Sequence, residues 1–100
     1  MVNNDEIQVM NKLLSSDVKL SILELFHNNP GLIDRLDGVA LRIGRMPSEI
    51  ERDIGDLLEL GILRKKKLGN SEAIHFDLTR DAQIQQMIAE RLGGGMNDFG

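Results

Sequence analysis

The spacing of apolar residues changes at Gly61, and this change constrains the fold more than any other feature. Before Gly61 the apolar residues recur every three or four positions, which is the spacing of one face of a helix. The last such run is Ile50, Ile54, Leu57 and Leu58. After Gly61 apolar and polar residues alternate, as in Ile74-His75-Phe76-Asp77-Leu78, which is typical of a strand with one wet face. The chain is therefore predicted to be mainly α with a small β-hairpin, an α+β fold.

The helical part divides at proline, glycine and short polar residues. Residues 15–17, Asp34 and Thr79 are the expected N-caps, because a short side-chain oxygen accepts from the free amides of a helix start. Pro47 suits the first helical position, and Gly44 and Gly61 suit helix ends. The predicted helices cover residues 6–14, 18–27, about 35–43, 47–60 and 80–92.

The alternating part is predicted to be a hairpin with strands at 62–67 and 73–78 around a loop of about five residues. A lone hairpin is only marginally stable, so we expect it to pack on the helices through Phe76 and Leu78. Residues 1–92 are expected to form a single domain, followed by a flexible Gly-rich tail at 93–100.

Composition excludes several classes of protein. The 100 residues include no Cys and only two His, so cysteine-ligated metals, disulfides and a histidine-rich metal site are not expected. No catalytic constellation and no phosphate-cradling glycine motif is present, so we expect neither an enzyme nor a cofactor. No signal peptide pattern and no apolar run of about 20 residues occurs; the protein is expected to be cytoplasmic and not to associate with a membrane.

The charge is concentrated. The net charge is −4, but residues 64–67 are four consecutive cations, and subtracting them from −4 leaves −8 on the rest of the chain. An acidic protein does not bind polyanions over its whole surface, whereas one basic strand can contact phosphates locally. The same lysines also fit an edge strand protected against aggregation.

The order of elements, with short links between the central helices and a ribbon directly after them, is that of a winged helix-turn-helix with N- and C-terminal flanking helices. Several segments resemble ArsR-like winged-helix transcriptional regulators. Residues 14–26 resemble the family's L-S-D-P-x-R-L-x-I-L-x-L-L opening, and residues 39–44 its L-A-x-x-L-G. Residues 48–63 match the spacing of S-x-V-S-x-H-L-x-x-L-x-x-x-G-L-V, and residues 75–78 resemble Y-Y-x-L. The family's cysteine metal motif is absent, so thiol-based metal sensing is not implied.

This resemblance implies double-stranded DNA as the partner, with a recognition helix at about 47–60 and a basic wing at 62–78. Arg52 is expected to pair with guanine, Ser48 to donate to a base or phosphate, and Glu49 to accept from cytosine. The expected phosphate contacts are Arg42 and Arg45 near the turn and Arg64, Lys65, Lys66 and Lys67 in the wing. Asn70 in the loop of the wing is also expected to contact DNA.

The recognition helix is acidic, which leaves a second interpretation open. Between Met46 and Leu60 it has five acids against Arg52 alone, a net charge of −4. The acids oppose close contact with phosphates, although some of them could lie to the side. The alternative is a winged-helix module that binds another protein and not DNA.

The terminal helices suggest a homodimer. Their apolar stripes exceed what a three-helix core and a ribbon can cover, and packing them against a second copy would place two recognition helices for a two-fold related site. Folding back on the chain's own core is the alternative. The expected interface residues are Ile7, Met10, Leu14, Ile84, Met87 and Ile88.

Overall fold

The computed structural model describes residues 8, 11 and 16–93. Within 16–93 the chain forms four helices and three strands. They are α1 (Asp17–Asn28), β1 (Ile33–Asp34), α2 (Leu36–Arg42), α3 (Pro47–Glu59), β2 (Leu63–Leu68), β3 (Ser71–Phe76) and α4 (Leu78–Gly93). The helix predicted at 6–14, including Ile7, Met10 and Leu14, and the tail after Gly93 lie outside the described residues, apart from helical Gln8 and Asn11.

Two of the predicted helix starts are confirmed in detail. The Ser16 side chain accepts from the amide of Lys19 at 3.2 Å and so caps α1. Pro47 is the first residue of α3, and Glu49 Oε1 accepts from the amide of Met46 at 3.1 Å. These contacts use only neighbouring residues, which explains why the sequence pattern predicted them.

The sheet differs from the prediction at its turn and at its edge. Gly69 and Asn70 form a two-residue turn between paired Leu68 and Ser71, shorter than the predicted loop. Gly69 has φ 64°, and a glycine at the first central position suits such a hairpin turn. The two-residue strand β1 was not predicted, since so short a segment carries no alternation; it pairs antiparallel with β3 and gives the order β1-β3-β2.

The passage from β3 to α4 also differs. Leu78 was predicted to end the strand, but it begins α4 and is 59% exposed. Asp77, and not Thr79, acts as the cap, because its Oδ1 accepts from the amide of Arg80 at 2.9 Å. Of the two residues predicted to pack the hairpin on the helices, Phe76 does so, with its ring stacked on that of Phe26 at a centroid distance of 6.0 Å, whereas Leu78 does not.

The core lies between the helices and one face of the sheet. Ile84, predicted at a subunit interface, is 1% exposed and belongs to this core. The buried hydrophobic cluster is Ile22, Phe26, Val39, Ala40, Ile50, Ile54, Leu57, Ile62, Leu63, Ile74, Phe76 and Ile84.

Polar contacts attach α4 to α1. His27 Nε2 lies 2.9 Å from Oδ2 of the buried Asp81, and Gln85 donates to the same oxygen at 2.8 Å. Arg80 Nε donates to the carbonyl of Leu60 at 2.8 Å. The first half of α4 is thereby fixed to the body. No helix in the described part of the chain is long and apolar enough to cross a membrane.

Candidate nucleic-acid interface

One side of α3 faces solvent, and this side carries the predicted base-reading residues. Its opposite side is buried through Ile50, Ile54 and Leu57. Ser48, Arg52 and Glu59 are exposed and fall on one stripe at about 100° per residue. Among the described residues no carboxylate lies within ion-pair distance of Arg52. The stripe therefore presents a hydroxyl, a guanidinium and a carboxylate to solvent.

Two of the five acids of α3 point away from that stripe. The buried Lys19, 1% exposed, places its Nζ 2.8 Å from Asp56 Oδ2 and 3.9 Å from Asp53 Oδ1. These carboxylates thus face α1 and share the single positive charge of Lys19. Lys19 was not among the predicted site residues, although its spacing of three from Ile22 and seven from Phe26 places it on the buried face of α1.

A third acid, Glu49, is occupied at the start of its own helix. Besides accepting from the Met46 amide, its carboxylate lies 3.5 Å from Arg45 Nη1 through Oε2. A carboxylate near a helix N-terminus is also favoured by the helix dipole. Glu49 and Arg45 thus form an ion pair with each other.

The other two predicted phosphate-binding arginines have carboxylate partners. Arg42 Nε donates to Asp34 Oδ2 at 3.0 Å, and Arg64 Nε donates to Asp77 Oδ2 at 2.6 Å. The Arg42 hydrogen bond lowers the pKa of Asp34. The amide of Arg80, followed by the Arg64 guanidinium, lowers the pKa of Asp77. Both acids therefore stay ionised and hold their arginines.

The three wing lysines are different. Lys65, Lys66 and Lys67 are exposed, and within the described chain none has a carboxylate at ion-pair distance. Alternation along β2 puts Lys65 and Lys67 on the Leu63 face of the sheet and Lys66 on the other. Both faces of the wing thus carry an unpaired cation, and exposed Asn70 lies at its turn.

Helix α3 and the β2–β3 hairpin meet at a cleft of about 290 Å³. Glu51 and Gly55 of α3 line it on one side, and Lys65 and Glu72 of the hairpin line it on the other. Arg42 lies elsewhere, in a depression formed with α1. The structure brings the outward side of α3 and the wing together, but it does not bring Arg42 to them.

The remaining predicted interface residues lie on α4. Met87 and Ile88 are half-buried, and Ile88 packs on the edge of the core. Glu90, two residues beyond Ile88, is exposed. Among the described residues no three His, Asp or Glu side chains are grouped to hold a metal ion.

Comparison with protein-family models and with curated proteins finds no match. Several solved structures are similar, including the following three. A possible transcriptional regulator from Methanosarcina mazei Go1 has a TM-score of 0.67 at 19% identity, covering 91% of this chain and 85% of its own. A crystal structure of a possible transcriptional regulatory protein from Mycobacterium bovis (fragment 1–100) has a TM-score of 0.63 at 16% identity, covering 86% and 92%.

The third is a solution NMR structure from Mycobacterium bovis of a homodimeric winged helix-turn-helix DNA-binding domain, a possible ArsR-family transcriptional regulator. Its TM-score is 0.63 at 17% identity, covering 90% of this chain and 84% of that one. At such identities the likeness establishes the fold. The present chain is a winged helix-turn-helix, and the resemblance seen in its sequence is confirmed at that level.

Proposed function

We propose that this protein is a sequence-specific DNA-binding transcriptional regulator that acts as a homodimer. The observation that carries the proposal is the set of exposed wing lysines without carboxylate partners, beside a recognition helix two of whose acids face inward and pair with Lys19. Similar folds in a possible transcriptional regulator and in a homodimeric DNA-binding domain support it.

In this proposal α3 enters the major groove with its exposed stripe toward the bases. Arg52 pairs with guanine through O6 and N7, and Ser48 donates to a neighbouring base or phosphate. Lys65, Lys66 and Lys67 contact the phosphates beside the groove, with Asn70 at the turn. Phosphate contacts fix the register of a protein on the duplex, and base contacts select the sequence.

The paired arginines take a second role. Arg42, Arg45 and Arg64 must exchange a carboxylate for a phosphate, so each contributes less net affinity than an unpaired cation. Glu49, held at the start of α3, is proposed to orient Arg45 and, when Arg45 turns to a phosphate, to accept from cytosine.

The subunit contact is proposed along the second half of α4. Met87 and Ile88 offer apolar surface there, and the stripe of Ile7, Met10 and Leu14 would extend it. Ile84 takes no part, because its side chain already lies in the core. A two-fold pair would direct both copies of α3 to half-sites about one helical turn of DNA apart.

A salt titration tests the DNA contact. Fluorescence anisotropy with a 30-base-pair mixed-sequence duplex should show affinity falling steeply with salt, by about 0.9 in log–log slope for each phosphate contact. Replacing Lys65→Gln and Lys67→Gln together should reduce the slope by about 1.8 per protomer, whereas the matched Lys65→Arg/Lys67→Arg variant should keep it. An unchanged slope in the glutamine variant, or no binding at micromolar protein in low salt, contradicts the proposal.

Of the two other exposed acids of α3, Glu51 and Glu59, the first offers a second test. Glu51 is exposed beside the cleft, so Glu51→Gln should strengthen duplex binding by removing repulsion. The alternative function, a module that binds a basic protein, predicts no duplex binding by either form.

The oligomer is tested by sedimentation velocity over a range of concentrations. Met87→Ser should weaken the dimer, and Gln86→Ser, on an exposed position of the same helix, is the matched control. A native protein that sediments as a monomer at every concentration would exclude the proposed interface.

A further inference from the structure

Gly55 lies in the middle of α3, where nothing in the described chain requires a glycine. Gly55 is exposed and its φ is not positive, and a Cβ built on it would meet no heavy atom within 4 Å. A glycine at such a position weakens a helix relative to alanine. The sequence therefore keeps an unfavourable residue that the fold itself does not explain.

Most other glycines of the described chain are explained locally. Gly44, Gly61 and Gly69 have positive φ, which side chains rarely adopt. Gly38, the other glycine within the helices α2 and α3, lies against the carboxylate of Asp34, which a Cβ there would displace. Gly55 differs from these four, because neither its φ nor any neighbour among the described residues calls for a glycine.

The surroundings of Gly55 indicate what lies against it. Arg52 is one turn earlier on α3, and Lys65 of the wing lines the same cleft. Glu51 and Glu72 also line that cleft, so their charges disfavour a phosphate close to the helix. Half-buried Leu58 adds apolar surface next to Gly55.

We propose that Gly55 is the point where the DNA backbone makes its closest approach to α3. The neutral deoxyribose of one strand lies over Gly55 and Leu58, and its phosphate lies beside Lys65. A missing side chain permits such close approach of a ligand. The inference rests on the proposed function and adds a positioning residue that sets the depth of the recognition helix in the groove.

The test uses duplexes that the native protein selects from a library with 20 random base pairs. Gly55→Ala should raise Tm by roughly 4–8 °C, because the helix gains a better former, and should weaken binding to the selected duplexes about tenfold, equivalent to about 1.4 kcal/mol. Gly55→Gln, with a longer side chain, should weaken it further. Gly31→Ala, also in open space but in the turn before β1, is the matched control and should bind as the native protein does.

The outcomes separate the two proposals. If the native protein selects and binds no duplex, both proposals fail. If it binds and Gly55→Ala binds equally well, only the role of Gly55 is refuted. A lower Tm for Gly55→Ala would mean that the fold requires the glycine, and equal loss in Gly31→Ala would mean that the effect is not local; either result overturns the inference.

Discussion

Replacing Lys19 with methionine removes the cation that pairs with two acids of α3. The Lys19 side chain is 2% exposed, and its Nζ lies 2.8 Å from Asp56. Methionine keeps much of the apolar stem that packs in the core, so the change mainly removes the charge. The negative charges of Asp53 and Asp56 then repel each other in a site that holds little water.

The expected loss follows from this burial. Breaking a fully buried ion pair by removing one partner costs about 3–5 kcal/mol. Asp56 is 27% exposed and Asp53 is 15% exposed, so the carboxylates recover part of their hydration. We therefore expect Lys19→Met to lower the free energy of unfolding by about 3 kcal/mol, the lower end of that range.

Urea denaturation followed by circular dichroism measures this loss. The Asp56→Asn variant and the Lys19→Met/Asp56→Asn double variant complete a thermodynamic cycle. The double variant should be more stable than the sum of the single losses predicts, by about 1 kcal/mol or more, because it removes the stranded carboxylate. A loss below about 0.5 kcal/mol for Lys19→Met, the scale of an ordinary surface change, or strict additivity in the cycle, would refute the reasoning.

Three further predictions concern single side chains. Ser16→Ala should lower the free energy of unfolding by about 0.5–2 kcal/mol through loss of the α1 cap, measured by urea denaturation; an unchanged midpoint would contradict the cap. Gly69→Ala should lower Tm because φ 64° is strained for alanine, and a Tm equal to that of the native protein would show that the turn has another geometry. Because the folded-state pKa of Asp77 lies below its ordinary 3.8, its carboxylate stabilises the fold above that value, and the contribution is lost as pH falls through the lowered pKa. In acid unfolding curves the gap in stability between native protein and Asp77→Asn should narrow below about pH 4; a constant gap would contradict this sign.

Local patterns were sufficient to predict most of the elements. The start of α1 at Ser16 and of α3 at Pro47 depend on neighbours within three residues, and the sequence displays those neighbours directly. The end of the hairpin was predicted wrongly, because Leu78 continues the apolar–polar alternation of β3 although Asp77 already caps α4. The alternation could not reveal that a polar residue within it had become a cap.

The candidate site was harder to predict, since its electrostatics depend on distant pairs. Lys19 and Asp56 are 37 residues apart, and Arg64 and Asp77 are 13 apart. A count of charges treats all these groups as free, and so it made α3 appear more acidic toward solvent than it is. The charge count also treated Arg64 and Lys65 as equally free cations, although of these two only Lys65 lacks a carboxylate partner among the described residues.

Asp77 is the whole connection between the wing and the last helix. Its amide donates to the carbonyl of Ile62 at 2.8 Å, and its two carboxylate oxygens are divided between Arg64 on β2 and the amide of Arg80 on α4. This link is one residue long and is held by three hydrogen bonds, so the hairpin and α4 are fixed relative to each other. In a two-fold pair, the angle at which the two C-terminal helices cross would therefore set the distance between the two hairpin tips.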